Sequence, residues 1–384
     1  MVSKMKIKKI AKIVVKCINL KKGENVLIRG NNYFQNIIEE ISLEIAKNGG
    51  IPFISIQSDD YLKRYYELVP EEYIRQTPQH FLGAIEKTDV IISMDPFKDP
   101  KINAKLPRNK IEANTEAYQP IRDIINEKRK KWLYLGWPTL EAAKYFKISL
   151  KKLEDIIING MLIDYDKLNE KCLKIANVLK EAIKIHVMDN KGTDLYLKIN
   201  GRRINLDDGI ISDEDISIGE VGANLPAGEV FIAPIEEYGE GTLFCPLTRD
   251  RFTGKIIKDA LLVFKNGKIV LEESNARKNF DQLKDTIEKC MKIDEKRYSK
   301  IGANNICELG IGLNPHIKEA IGYILTDEKI EGTIHIAIGE NRGYGGKIAS
   351  SLHWDFVTFP GVTLEIEKRN GEKITIMENG KMLI

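Results

Sequence analysis

The sequence predicts an α/β domain with a parallel sheet, followed by an α+β domain whose strands are mostly antiparallel. In the first half, short apolar runs alternate with segments of helix length, as in parallel sheets covered by helices. After residue 186, strands with Gly and Pro turns dominate. The chain has 384 residues, more than the roughly 250–300 at which single cores stop growing. We therefore expect two domains, residues 1–186 and 187–384.

The elements of the first domain are set by local patterns. Residues 4–19 predict an amphipathic helix with a basic face, and residues 34–47 predict a second helix. Thr139 is a suitable N-cap for a helical region that extends to residue 185. Four short apolar runs are the expected strands, at residues 25–30, 52–56, 89–94 and 132–136.

In the second domain, residues 194–199 alternate as a strand does, and Asn200-Gly201 predicts a hairpin turn directly after them. Residues 265–268 and 368–373 predict two further hairpins, while residues 276–293 predict a helix.

Composition and charge exclude several classes of protein. With 59 basic and 56 acidic residues the net charge is +3, which argues against a dedicated nucleic-acid binder. No apolar run has the length of a signal peptide or a membrane span. The five cysteines are scattered without a C-x-x-C pair, so we interpret them as buried, reduced residues. We expect a cytoplasmic protein, and the abundance of Lys, Glu and Ile suits a heat-adapted one.

A nucleotide cofactor is not expected. The first strand is followed by Arg29-Gly30-Asn31-Asn32, which matches neither a dinucleotide-binding nor a Walker sequence. The parallel sheet is therefore interpreted as a scaffold.

The candidate functional residues all lie in the second domain. Strand spacing places His353 and Asp355 on one side of a strand, and His335 lies in another strand. Glu229 and Glu308 stand alone in apolar, Gly-containing runs. An isolated buried carboxylate must be protonated, paired or bound to a metal. Each residue alone has an ordinary structural explanation, but convergence on metal satisfies all five.

This donor set favours particular metals. Imidazole and carboxylate donors suit Zn²⁺, Mn²⁺, Co²⁺ or Fe²⁺, and the absence of thiolates argues against a structural zinc site. Three carboxylates and two histidines exceed the needs of one tetrahedral zinc. They fit two adjacent metals about 3.5–4 Å apart that share a bridging carboxylate.

Four segments resemble, in the same order, motifs of the thermophilic metalloaminopeptidase family. They are residues 224–234 (NLPAGEVFIAP), 307–315 (CELGIGLNP), 332–339 (GTIHIAIG) and 353–355 (HWD), and residues 136–139 (GWPT) are similar too. The resemblance implies a two-domain homodimer that removes N-terminal residues from peptides with two divalent ions (Zn, Co, Mn or Mg). It implies that Glu229, Glu308, His335, His353 and Asp355 are the ligands, that Glu308 is the bridge, and that Tyr344 is catalytic. Residues 235–241 depart from the family pattern, which leaves the substrate range open.

Two alternatives remain open. One histidine with Asp355 and a glutamate would suit a mononuclear Fe²⁺ ring-cleaving oxygenase, and the resemblance extends to dihydroxypyridine dioxygenase. A non-catalytic metal- or peptide-binding protein is the other.

Overall fold

The computed structural model describes residues 2–384 and divides the chain into two compact units. The first unit comprises the residues up to Leu162 together with Gly209–Pro226. The second comprises Ile163–Asp208 and Ala227–Ile384. Over the described residues, no helix combines the length and the apolar character that crossing a membrane requires.

The first unit contains a parallel sheet of five strands in the order β2-β1-β3-β4-β8. Its buried centre includes Val26, Ile28 and Ile92. The strands of this unit are β1 (Asn25–Asn31), β2 (Ile51–Gln57), β3 (Val90–Ser93), β4 (Lys131–Leu135) and β8 (Gly222–Leu225). Its helices are α1 (Lys4–Cys17), α2 (Gln35–Lys47), α3 (Asp59–Leu68), α4 (Glu71–Ile74), α5 (Gln79–Lys87), α6 (Arg108–Ala117), α7 (Gln119–Glu127), α8 (Leu140–Phe146), α9 (Leu150–Met161) and α11 (Asp213–Ile218).

The predicted parallel sheet is confirmed, and all four expected strands are present. Thr139 caps α8 as expected, because its hydroxyl accepts a hydrogen bond from the Ala142 N–H at 2.9 Å. The fifth strand, β8, comes from the part of the sequence that we assigned to the second domain.

The second unit contains two further sheets. Sheet B has nine strands along the order β12-β11-β10-β6-β5-β17-β18-β19, with β13 on β11, and sheet C has five antiparallel strands in the order β16-β15-β14-β9-β7. The strands of sheet B are β5 (Ala182–Met188), β6 (Asp194–Lys198), β10 (Gly239–Arg249), β11 (Ile256–Lys265), β12 (Lys268–Ile269), β13 (Asn275–Lys278), β17 (Thr363–Lys368), β18 (Lys373–Glu378) and β19 (Lys381–Met382). Sheet C consists of β7 (Ile204–Asp207), β9 (Glu229–Ile232), β14 (Ile306–Gly312), β15 (Ile334–Gly339) and β16 (His353–Val357). The helices are α10 (Tyr165–Leu179), α12 (Phe280–Tyr298) and α13 (Ile324–Asp327).

The division into units differs from the boundary that we expected at residue 186. Helix α10 and the first residues of strand β5 precede residue 186 but belong to the second unit, whereas residues 209–226 return to the first. The cause is strand pairing: β8 hydrogen-bonds to β4, and β5 lies between β6 and β17.

Two local expectations were also wrong. The chain turns at Asn200-Gly201, but β6 pairs with β5 and β10, and the next strand, β7, joins β9 in sheet C. The helical region predicted up to residue 185 ends at Leu179. The two other hairpins are confirmed as β11–β12 and β17–β18.

Candidate metal centre

One face of sheet C gathers the candidate residues through its register. Glu308 on β14 lies opposite Ala337 on β15, which in turn lies opposite Asp355 on β16. In the neighbouring row Gly310 lies opposite His335. Because side chains alternate between the two faces of a strand, these positions share one side of the sheet. The small residues Gly310 and Ala337 on this face leave room above the backbone of the sheet.

Gly310 provides a cradle for the His335 ring. A Cβ built on Gly310 would lie 2.0 Å from Cε1 and 2.2 Å from Nε2 of His335. The imidazole therefore rests against the backbone of β14, in space that any other residue would fill. The side chain of His335 is fully buried in this position.

The five predicted ligands form a continuous series of contacts. His335 Nε2 lies 3.5 Å from Glu229 Oε2 and 3.1 Å from Glu308 Oε1. His353 Nε2 lies 3.6 Å from Glu308 Oε2 and 3.2 Å from Asp355 Oδ1. Glu308 is thus central, with one carboxylate oxygen facing each histidine. The structure brings all five residues together.

The donor atoms fit divalent ions. One atom each from Glu308, His335 and Asp355 lie within 4.8 Å of one another, and the same holds for Glu229, Glu328 and His335. Glu229 Oε2 and His335 Nδ1 are buried without a hydrogen-bond partner within residues 2–384. A buried carboxylate oxygen without a partner is unfavourable, and a bound cation would satisfy it. The residues present therefore fit a metal centre of nitrogen and oxygen donors.

Contacts at the far side of His353 orient its ring. Its Nδ1 lies 3.0 Å from the Glu340 carbonyl, which can only accept, so Nδ1 carries the hydrogen and donates it. Nε2 is then free to act as a ligand, in the arrangement typical of metal-binding histidines. The Tyr344 hydroxyl lies on the same side, 3.5 Å from Nδ1, and donates to the Glu340 carbonyl at 3.1 Å.

Buried contacts fix the loop that carries Tyr344. Glu236 accepts hydrogen bonds from the Lys347 N–H at 2.8 Å and from Asn341 Nδ2 at 3.4 Å, and it forms a short ion pair with Arg202. Glu236 is itself buried, so these contacts hold Asn341 and Lys347, which lie on either side of Tyr344, in fixed positions.

Burial and charge shift the ionisation of the site. Burial alone would lower the pKa of His335, but the neighbouring Glu308, Glu229 and Asp355 raise it to about 9. Burial raises the pKa of Glu229 to about 8 despite the nearby Lys329. Burial would also raise the pKa of Asp355, yet the adjacent His353 holds it well below its usual range. Burial, with a contribution from Glu308, keeps the pKa of Tyr344 far above its usual range, so its hydroxyl remains protonated.

Sequence reasoning missed three charged residues beside the centre. Lys329 Nζ lies 2.5 Å from Glu229 Oε1, 2.7 Å from Asp207 Oδ2 and 2.9 Å from Glu328 Oε1. In the sequence, Asp327-Glu328-Lys329 looks like an ordinary charged turn. His186 lies outside this centre, in sheet B, where its Nε2 is 2.7 Å from Asp194 Oδ1.

The buried histidines and carboxylates on sheet C are donors that suit divalent ions, as in the metal centre of a metalloenzyme. The model of the family described as "Thermophilic metalloprotease (M29)" matches residues 3–382. The chain therefore belongs to this family, and the expectation of a metal-dependent peptidase is confirmed.

Two solved structures share the fold. AmpT from Thermus thermophilus matches with a TM-score of 0.79 and 19% identity, over 99% of this chain and 100% of that one. The 2,5-dihydroxypyridine dioxygenase from Pseudomonas putida KT2440 matches with a TM-score of 0.61 and 15% identity, over 100% of this chain and 98% of that one. No curated protein sequence matches the chain significantly. The predicted fold class is confirmed.

Proposed function

We propose that this metallopeptidase is an aminopeptidase that uses two divalent metal ions per chain. The ligands in this proposal are Glu229, Glu308, His335, His353 and Asp355. The observation that supports it is the position of Glu308, whose two carboxylate oxygens face different histidines at 3.1 and 3.6 Å. A carboxylate in this position is suited to bridging two ions.

The charge of the centre favours two ions over one. Five carboxylates and one ammonium surround it, which leaves a formal charge of −4 when both histidines are neutral, as metal ligation requires. Two divalent ions neutralise this charge, whereas a single one leaves two negative charges in a largely buried site. Uncompensated buried charge is strongly unfavourable. The carboxylates concerned are Asp207, Glu229, Glu308, Glu328 and Asp355.

Bound metal would polarise the scissile carbonyl and lower the pKa of the attacking water to near neutrality. The protein residues orient the reaction around it. Tyr344 stays protonated, so a modest movement of its hydroxyl from the Glu340 carbonyl would let it donate to the oxygen that gains charge as the amide is attacked. The nitrogen and oxygen donors suit zinc, cobalt, manganese or magnesium.

Selectivity for a free N-terminus would come from a local contact with an accessible carboxylate, because the two ions neutralise the site as a whole. The ammonium of a peptide substrate would be attracted to the carboxylates that remain accessible, and Glu328 keeps 16% of its side chain exposed. A blocked N-terminus lacks this interaction. We therefore propose unblocked peptides as substrates.

We further propose a cytoplasmic homodimer. The five cysteines are free and buried, as is typical of proteins from reducing compartments. Strand β2 lies at the edge of the parallel sheet, where Ile51 and Phe53 are 55% and 56% exposed. Burying such an apolar edge against a second copy would remove both its open backbone and its exposed side chains from water. If so, Phe53→Lys should yield monomers in light-scattering measurements, and an unchanged mass would contradict this interface.

The oxygenase alternative rests on a specific observation. Donor atoms of Glu308, His335 and Asp355 lie within 4.8 Å of one another, so one histidine with Asp355 and a glutamate could hold a single Fe²⁺. Such a centre leaves Glu229 and Lys329 without a role. It predicts one iron per chain and oxygen consumption with a dihydroxylated aromatic ring.

The decisive experiment combines elemental analysis with hydrolysis of aminoacyl-p-nitroanilides after loading with Co²⁺ or Zn²⁺. We expect two metals per chain, turnover of the unblocked substrate, and little turnover of its N-acetylated form. Two bound metals without turnover of any unblocked amide or small peptide would refute the peptidase proposal.

Glu308→Gln tests the bridging assignment. The amide cannot place a negative oxygen toward each histidine, so activity should fall by about 10²-fold or more while the fold is kept. The matched control is Glu272→Gln at an exposed position, which should change neither activity nor metal content. Substantial activity in Glu308→Gln would show that Glu308 is not the bridge.

A further inference from the structure

Lys329 is a lysine without solvent exposure at the edge of the metal centre. It follows helix α13, and its backbone carbonyl accepts a hydrogen bond from Asn314 N at 2.9 Å. The side chain carries three N–H donors, and its three acidic neighbours are Asp207, Glu229 and Glu328 at 2.5–2.9 Å. Each donor therefore has one carboxylate as its acceptor, and the ammonium is saturated.

The two carboxylate oxygens of Glu229 differ in their contacts, because only one of them binds the Lys329 ammonium. Oε1 lies 2.5 Å from Lys329 Nζ. Oε2 has no hydrogen-bond partner within the described chain and lies 3.5 Å from His335 Nε2. Glu229 therefore offers a single oxygen to an ion at His335. Glu308 differs, since both of its oxygens face histidines.

We propose that Lys329 is a positioning residue that restricts Glu229 to one-oxygen coordination and keeps a coordination position open on the neighbouring ion. The open position is where water or substrate would bind. The positive charge of Lys329 also weakens binding of the neighbouring ion, since two cations a few ångströms apart repel each other. This inference rests on the proposed two-metal function and assigns a role to a residue outside the ligand set.

A lysine that acted only as a structural ion pair would behave differently. Its loss would destabilise the fold through three uncompensated acids, but bound metal would keep the same coordination. The two roles are therefore separated by the coordination of the bound ion rather than by stability or activity. Cobalt reports it directly, because Co²⁺ of low coordination number absorbs visible light more strongly than six-coordinate Co²⁺.

The test compares two variants that differ only in the ammonium. Asp207→Asn retains the contact between Lys329 and Glu229, whereas the double variant Asp207→Asn with Lys329→Met removes the ammonium and one acid together. Because equal and opposite charges are removed, the double variant avoids the charge imbalance that could prevent Lys329→Met alone from folding. Each protein is loaded with Co²⁺, and both the absorbance per bound cobalt and the rate of release to a chelator are measured.

We expect Asp207→Asn to retain the wild-type spectrum. The double variant should absorb less per cobalt, because Glu229 can then bind through both oxygens, and it should hold the ion about tenfold more tightly or better. Identical spectra and release rates for the two variants would overturn the proposal. If the wild-type protein binds cobalt and the two variants differ as expected, but the wild type hydrolyses no peptide, only the proposed function is refuted. A wild-type protein that binds no cobalt overturns both.

Discussion

Replacing Gly310 by alanine tests whether the backbone of β14 positions the metal centre. The added Cβ would lie 2.0 Å from Cε1 and 2.2 Å from Nε2 of His335. Carbon atoms in contact normally stand about 3.5–4.0 Å apart, so the ring must retreat by more than about 1 Å. Because His335 is fully buried, it cannot move into solvent and must displace other side chains.

The magnitude follows from this displacement. Inserting a methyl group into a well-packed site typically costs about 1–3 kcal/mol of stability. A misplacement of about 1 Å in a catalytic group can cost about 10²-fold in rate. We therefore expect Gly310→Ala to fold, with a lower melting temperature, and to lose at least about 10²-fold in activity together with part of its metal.

Elemental analysis, hydrolysis rates and scanning calorimetry measure these three effects. Gly83→Ala is the matched control, because a Cβ on this residue of α5 meets no atom within 4 Å. It should leave metal content and activity unchanged. If Gly310→Ala binds metal in the normal ratio and hydrolyses substrate at nearly the wild-type rate, the argument that Gly310 provides the cradle for His335 is wrong.

Three further predictions concern the loop, the metal and the first unit. Glu236→Ala should free the Tyr344 loop and lower kcat by about 10-fold or more with unchanged metal content, as kinetics and elemental analysis would show. Removing the metal should lower the melting temperature more at about pH 9 than at about pH 5. In the metal-free chain, burial raises the pKa of Glu229 from 4.5 to about 8, so the folded chain binds this proton more tightly than the unfolded chain does. The free energy of unfolding of the metal-free chain therefore falls as pH rises through that range. Equal shifts in calorimetry at both pH values would contradict this. Burial also raises the pKa of Asp95, whose Oδ1 accepts a hydrogen bond from the Tyr134 hydroxyl at 2.5 Å. The folded chain therefore binds this proton more tightly than the unfolded chain does, and stability decreases as pH rises above 3.8. Asp95→Asn should flatten this dependence in urea unfolding, and an unchanged slope would refute the assignment.

The sequence contained enough information for the parallel sheet and for the five proposed ligands. Short apolar runs mark β1 and β3 because these inner strands bury most of their residues. The edge strand β2 is equally apolar in sequence, although none of its residues is buried. Glu229 and Glu308 were recognisable since an acid in an apolar strand requires a specific partner. Both signals lie in short stretches of sequence. An apolar run exposed to water and a buried acid without a partner are each unfavourable, so each residue pattern indicates the surroundings that it needs.

The parts that escaped prediction depend on long-range pairing. Asn200-Gly201 has the residues of a tight turn, but the strand after it finds its partners in sheet C. Strand β8 has only four residues, and its place beside β4 has no local signature. Lys329 stands 100 residues from Glu229 in the sequence, so its burial and its role could not be inferred from a charged turn.

A dioxygenase shares the fold of this chain, so the fold alone does not decide the chemistry of this centre. His353 and Asp355 are compatible with either a peptidase or an oxygenase, since both need imidazole and carboxylate donors. In the two-metal proposal, the discriminating residues lie at the other end of the contact series, where Glu229 contacts Lys329 and presents one unpartnered oxygen to His335. A single iron held at the other end would leave that oxygen and the surrounding negative charge unsatisfied. The strands of sheet C could therefore support either reaction, and the acids around Lys329 favour two ions and hydrolysis.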